Sequence, residues 1–206
     1  MEPKWLEWAK GLQAEAQNGL TYTQSEFERE RYEHILEIAD EMMASNSDTD
    51  FTYVKNLFED VEGYMTPRVD VRGVVFENNK VLLVKERMDG GWTLPGGWAD
   101  PNETPSQSVE REVLEESGFL VRAVKVLAVL DRAKQGHTPP FPYHVYKLFF
   151  LCDIEGGKKT TSHETDDVDF FGEDEIPELS AARTTASQLS RFFKHLRDPE
   201  LPADFD

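Results

Sequence analysis

The segment from Gly96 to Phe119, GGWADPNETPSQSVEREVLEESGF, constrains the fold more than any other stretch of the chain. Thr104 suits a helix N-cap, Pro105 the first helical position, and Gln107 completes a Thr-x-x-Gln capping box; Gly118 suits the left-handed residue that ends a helix. These signals predict a helix over about 105–117, entered through a glycine-containing turn. On that helix Glu112, Glu115 and Glu116 share one face, and Arg111 lies beside Glu115 at i,i+4 spacing. Each of these carboxylates meets the negative end of the helix macrodipole, at a cost of roughly 0.3–1 kcal/mol, and their mutual repulsion adds to it. A broken local rule calls for a compensating gain. A bound hard cation such as Mg²⁺, which takes oxygen ligands, supplies one. The plain alternative is a solvated acidic face, because Asp and Glu make up 40 of the 206 residues.

The wider pattern bears on that choice. From Gly97 the chain fits G-x5-E-x7-R-E-U-x-E-E-x-G-U, with U a bulky apolar residue, through Gly97, Glu103, Arg111, Glu112, Val113, Glu115, Glu116, Gly118 and Phe119. Every specified position matches, and the pattern resembles the Nudix box, the signature of the Nudix hydrolases. The resemblance implies an α/β/α sandwich with a mixed sheet, the box as strand-loop-helix, and Mg²⁺ or Mn²⁺ as cofactor. It also implies that Glu112, Glu115 and Glu116 hold the metal, that the carbonyl of Gly97 completes a site, and that Arg111 orients the carboxylates. An ordinary surface pair with Glu115 is the other reading of Arg111. Glu103 precedes the N-cap, where structural support and ligation both stay open. So does the general base: a box glutamate, or Glu164 in the later HETDD stretch, itself open to reading as a solvated loop charge.

Outside the box the apolar period changes near residue 65. Trp5, Trp8, Ala9, Leu12 and Ala16 have helical spacing, as do Tyr32, Ile35, Leu36, Ala39, Met42 and Met43, and Thr23 with Glu26 offers a capping box ahead of the second set. A shorter helix after Asp50 would carry Phe51, Val54, Leu57 and Phe58. Residues 1–64 therefore read as a small all-helical domain, and 67–206 as a second domain. The Trp and Met residues either pack a core or cover a dimer surface, since so short a helical segment has little to bury against alone. After Pro67 the pattern reads as strands: VDVRGVVF and KVLLVKE joined by an Asn78-Asn79 turn, VRAVKVLAVLD, YHVYKLFFLCDI and VDFFG, with a final helix over roughly 182–195. Residues 155–167 read as a polar, mobile loop.

The likeness extends beyond the box. A helical domain followed by TPRVDVRGVVF, LPGGWADPNETP and HTPPFPYHVYKLFFLCDIEGG resembles a bacterial Nudix branch that hydrolyses nucleoside diphosphates linked to another group, notably CDP-choline and ADP-ribose. One departure bears on substrate: enzymes dedicated to ADP-ribose tend to carry a proline roughly fifteen residues beyond the box, and here that region reads DRAKQG. The stretch that marks NADH pyrophosphatases is also absent. Arg72, Lys85, Arg87 and Arg132 are candidates to reach phosphates, and Trp98, Phe141 and Tyr143 to stack on a base; solvated surface and core packing are the respective alternatives. His137 and His144 lack metal-ligand spacing.

The formal net charge of −18 works against unassisted binding to nucleic acid or an anionic membrane. No apolar run is long enough to span a bilayer, and MEPKWLEWAK lacks a signal-peptide core, so a cytoplasmic location is expected. The single cysteine, Cys152, sits in an apolar run and reads as core. The expected function is metal-dependent hydrolysis of a nucleoside diphosphate-X by a homodimer acting on small nucleotides. An RNA-end exonuclease or decapping enzyme, or a nucleotide sensor without catalysis, would use the same fold; all box glutamates are present, against the sensor.

Overall fold

The structure is a computed structural model that describes residues 2–46, 51–58 and 63–206. The chain forms two compact units, Met1–Pro67 with Pro140–His144, and Arg68–Pro139 with Val145–Asp206. A single boundary was expected from the change of period. Instead the short Pro140–His144 segment returns to the helical unit, where the Tyr143 ring meets Phe58 at 5.2 Å and its hydroxyl donates to the Leu57 carbonyl.

The helical unit contains α1 (Lys4–Tyr22), α2 (Glu26–Ser45) and α3 (Phe51–Asn56). Leu6, Ala9, Met43 and Val54 form its core, with Trp5 and Met42 packed against them, so three of the four large residues in doubt are core residues. Trp8 is 59% exposed. The capping box expected at Thr23 and Glu26 does not form: α2 begins two residues later than that pattern requires, with Ser25 at the N-cap. Thr23 instead accepts from the Ser25 amide and donates to Glu28, an alternative open to any hydroxyl near a helix start.

The second unit is a mixed sheet with a helix on each face. Its strands are β1 (Arg68–Glu77), β2 (Lys80–Glu86), β3 (Trp92–Thr93), β4 (Phe119–Asp131), β5 (Val145–Gly157), β6 (Thr165–Phe171) and β7 (Asp204–Phe205). They lie in the order β3-β2-β1-β5-β4-β7, with β6 pairing β2. The Asn78-Asn79 turn forms as expected, both residues at positive φ. On one face α4 (Pro105–Ser117) buries Val109 and Val113 against Val71, Val75 and Val84; on the other α5 (Ala186–Arg197) buries Leu189, Phe192 and Phe193 against Val74, Leu83 and Phe149. Cys152 is buried in the first of these layers, which pushes its thiol pKa up to about 12.

The division of the sheet positions the site. β2 pairs with β1 only at the hairpin end, through Phe76↔Val81 and Glu77↔Lys80, and beyond it pairs with β3 and β6. The β1 edge so vacated is taken by the loop after β3: the amides of Gly73 and Val71 donate to the carbonyls of Pro95 and Gly97, and Ala99 donates to Val69. That loop leads directly into α4.

Two boundaries differ from the sequence reading. The last helix starts at Ala186 rather than near 182, because the turn from Ser180 to Thr184 is held by Thr184, whose hydroxyl accepts from the Leu94 amide. The stretch 155–167 is strand at both ends and loop only between them: β5 runs to Gly157 and β6 begins at Thr165. No helix among the described residues is long and apolar enough to cross a membrane.

Candidate active site

α4 has the bounds and caps expected of it. Thr104 accepts from the Gln107 amide, Gln107 accepts from the Thr104 amide, and Gly118 closes the helix at φ 78°. The negative end is less exposed than the sequence suggests. The Glu116 carbonyl accepts from the Thr165 hydroxyl at 3.0 Å and the Ser117 carbonyl from the Thr160 amide at 2.9 Å, so donors from the β5–β6 connection cover part of the macrodipole.

The three glutamates occupy different environments. Glu116 is 6% exposed and accepts from the Gly96 amide at 2.8 Å. Burial raises its pKa to about 8, against the pull of Arg72 and the Gly96 hydrogen bond. Glu112 is half-buried and also raised, chiefly by burial. Glu115 faces solvent. Arg111 links the set, donating to Glu103, Glu112 and Glu115 at 2.9–3.2 Å, with Asp100 at 3.2 Å. Glu103 also accepts from Ser108, so this structure uses it to fix the start of the helix.

Glycine is required opposite these carboxylates. Gly96 sits at φ 143°, and a Cβ there would lie 2.1 Å from the Val71 carbonyl oxygen. A Cβ on Gly97 would lie 2.9 Å from a Glu112 carboxylate oxygen, so the backbone leaves a hollow facing the acid. The Gly97 carbonyl accepts from the Val71 amide at 2.8 Å, which commits one of its two lone pairs to the β1 edge.

The remaining candidates differ in exposure and partners. Arg72 and Arg132 do not present free guanidinium groups to a phosphate, as the sequence reading proposed. Arg72 is 4% exposed, donates to both Asp70 oxygens and to the Leu94 carbonyl, and is kept charged by Asp70 despite its burial. Arg132, 8% exposed, donates to the carbonyls of Pro139 and Ala182. Arg87 is exposed and pairs with Asp166 at 2.8 Å. Lys85 is half-buried on β2. Glu164 is exposed beside His163, and its charge is felt by the buried Glu86. Trp98 is 43% exposed in the loop along β1, bridged to Asp70. Phe141 and Tyr143 stack edge-on at 5.3 Å in the helical unit.

Sequence reasoning missed a polar layer beneath the carboxylates. Lys147 lies fully buried on β5, paired in register with Asp70, and its ammonium is 2.6 Å from that carboxylate. Burial works against the Asp70 charge, but Arg72 and Lys147 outweigh it and hold the pKa near 2. One carboxylate cannot satisfy two buried cations, and the Lys147 pKa falls to about 8, mainly through burial. Glu86, at the end of β2, pairs with Arg183 at 2.9 Å. The available signal was alternation: Asp70, Arg72 and Val74 fall on one face of β1, and only a strand pairing distant in sequence adds Lys147 to it.

Comparison with known proteins settles the family. A domain described as "UDP-X-like, N-terminal oligomerisation domain" matches residues 3–58, and the NUDIX domain matches residues 66–195. The chain belongs to the Nudix hydrolase family. As a Nudix pyrophosphatase it is a hydrolase of phosphoanhydride bonds. It is 43% identical over 206 residues to the Bacillus subtilis (strain 168) protein named "Putative ADP-ribose pyrophosphatase YjhB", covering 100% of this chain and 99% of that one. The crystal structure of an ADP-ribose pyrophosphatase from Streptococcus suis 89-1591 superimposes with a TM-score of 0.62 at 38% identity, covering 68% of this chain and 100% of the other. The crystal structure of a UDP-X diphosphatase gives 0.63 at 29% identity, over 98% of each chain.

The donor set of this Nudix site fits a divalent cation. The side chains that could serve as ligands all offer carboxylate oxygens, and burial raises the proton affinity of Glu116, as for an anion that a cation would stabilise. Among the described residues no three His, Cys, Asp or Glu side chains already gather in ligand geometry. Here Arg111 occupies the space among the acids, spreading its donors over Glu103, Glu112 and Glu115.

Proposed function

We propose that the chain hydrolyses the diphosphate of nucleoside diphosphate-X substrates, ADP-ribose and CDP-choline among them, to a nucleoside monophosphate and a phosphorylated X group. The observation that carries this reading is the buried Glu116, fixed on the Gly96 amide beside Glu112 in a hollow that only glycine leaves open. Mg²⁺ or Mn²⁺ would be held by Glu112, Glu115 and Glu116 with a carbonyl of the glycine loop. Bound there, it would neutralise the diphosphate and make water a better nucleophile near neutral pH. The chain supplies the rest. Arg111 spaces the carboxylates, and Glu103 fixes Arg111. Glu164, exposed on the β5–β6 connection, and the box glutamates are the acids available to take a proton from water. Arg87 and Trp98, both exposed, are the side chains left to meet phosphate and base.

Product analysis on CDP-choline, ADP-ribose, NADH and capped RNA tests this reading. Because DRAKQG lacks the downstream proline, we expect CDP-choline to be cleaved to CMP and phosphocholine at least as efficiently as ADP-ribose to AMP and ribose phosphate. A kcat/KM more than about tenfold higher for ADP-ribose, roughly 1.4 kcal/mol of transition-state preference, would reverse the ranking. Release of nucleotide only from capped RNA would remove the reading altogether.

The helical unit supplies a homodimer interface in this proposal. Its match to an oligomerisation domain supports this, as does the exposure of Trp8, Phe27 and Tyr53 at 59%, 77% and 59%. Light scattering at micromolar concentration should return twice the chain mass of 23.6 kDa. The monomer mass would mean that these aromatics cover no second copy.

A further inference from the structure

The helical unit contains a cavity of about 370 Å³, within the range of small-ligand sites. Its most buried lining groups are polar: Gln13 on α1 and Asp40 on α2 are 2% and 6% exposed. The one hydrogen bond to Asp40 comes from the Gln13 amide nitrogen at 3.5 Å, the outer limit for such a bond, and its second oxygen meets no donor among the described residues. Burial pushes the Asp40 pKa up to about 6. Glu33 and Glu37 also line the cavity, against a single base, Lys55. Leu36 and Phe58 add apolar walls.

A buried carboxylate held by a single long hydrogen bond is costly, and a domain of this size has little stability with which to tolerate one. An apolar residue would serve packing better. The arrangement suits an occupant that brings positive charge, N–H donors and a short apolar body. Leu36 and Phe58 in the lining give an alkyl body something to pack against, so an organic cation fits these walls.

We propose that this cavity binds a small primary alkylammonium cation, its N–H groups donated to Asp40 and the Gln13 side-chain oxygen and its alkyl chain laid against Leu36 and Phe58. The site lies within the helical unit, and it stands independently of the pyrophosphatase reading. Calorimetric titration of the full-length protein with n-butylammonium chloride and with tetramethylammonium chloride tests it. Butylammonium should bind saturably at one site per chain, and tetramethylammonium, which has no N–H to donate, at least tenfold more weakly. Asp40→Asn should weaken butylammonium at least tenfold. Glu37→Gln, at an exposed position that leaves packing untouched, should weaken it about threefold and keeps the test open if the first variant misfolds. The proposal is overturned if butylammonium shows no saturable binding, if both cations bind equally, or if neither substitution alters the affinity.

Discussion

Glu116→Gln should lower kcat by roughly 100-fold or more and at the same time make the metal-free protein more stable. The glutamine keeps the shape and can still accept from the Gly96 amide, so the loop geometry persists while ligand charge is lost. Stability follows from linkage. The folded-state pKa of Glu116 is raised to about 8, so the charged form is penalised in the fold; that penalty is absent below the unfolded value near 4.5 and grows as pH rises towards 8. The variant should therefore match wild type in EDTA at pH 4 and exceed it at pH 8, by on the order of 1–3 kcal/mol. Saturating Mg²⁺ should then stabilise wild type more than the variant, since only a ligand that prefers the native site adds stability. Thermal denaturation with and without Mg²⁺ at the two pH values measures all three differences. Wild-type turnover in the variant, or an EDTA stability difference that ignores pH, would remove Glu116 from the metal site.

How far the site was legible depends on the reach of each signal in sequence. The box helix could be read residue by residue because its determinants are local: Thr104, Pro105, Gln107 and Gly118 act on neighbours within a turn. The strands were visible for the same reason, and so was the Asn78-Asn79 hairpin. The four candidate bases Arg72, Lys85, Arg87 and Arg132 looked alike in sequence and differ in the fold, because burial of a strand residue depends on which distant strand lies alongside. Arg72 faces inward with Asp70, and only the β1–β5 pairing supplies the Lys147 that completes the cluster. The ordering of residues 155–157 and 165–167 is hidden for a similar reason: polar residues at the ends of strands pair through backbone, which composition does not report. Phe141 and Tyr143 show the converse case. Aromatics in a proline-containing loop invite a stacking role, and here their rings pack against each other and Phe58.

The Asp70–Arg72–Lys147 cluster leads to the largest stability effect we expect. Asp70→Asn removes the only carboxylate among the described residues that is hydrogen-bonded to either cation and leaves two buried positive charges, so it should destabilise the fold by about 3–5 kcal/mol, the cost of breaking a buried ion pair. Lys147→Met should behave differently. It leaves Arg72 and Asp70 as a one-to-one pair through two hydrogen bonds of 3.0 and 2.8 Å and removes the cation that burial already disfavours, so its effect near neutral pH should stay within about 1 kcal/mol of wild type. The pH dependence separates the two residues. Asp70 has a depressed pKa, so its stabilisation is present above the unfolded value near 4 and is lost only as pH falls through about 2; the deficit of Asp70→Asn should be flat from pH 5 to 7. Lys147 is lowered to about 8, below its unfolded value near 10.4, so the unfolded chain binds the extra proton between these values and wild-type stability gains a rising contribution with pH there. Lys147→Met should lack that contribution. Urea denaturation of the three proteins at pH 5, 7 and 9.5 reads each term. Equal losses from Asp70→Asn and Lys147→Met at pH 7 would mean that the lysine is as necessary to the cluster as the aspartate, and that Arg72 alone does not balance the buried charge.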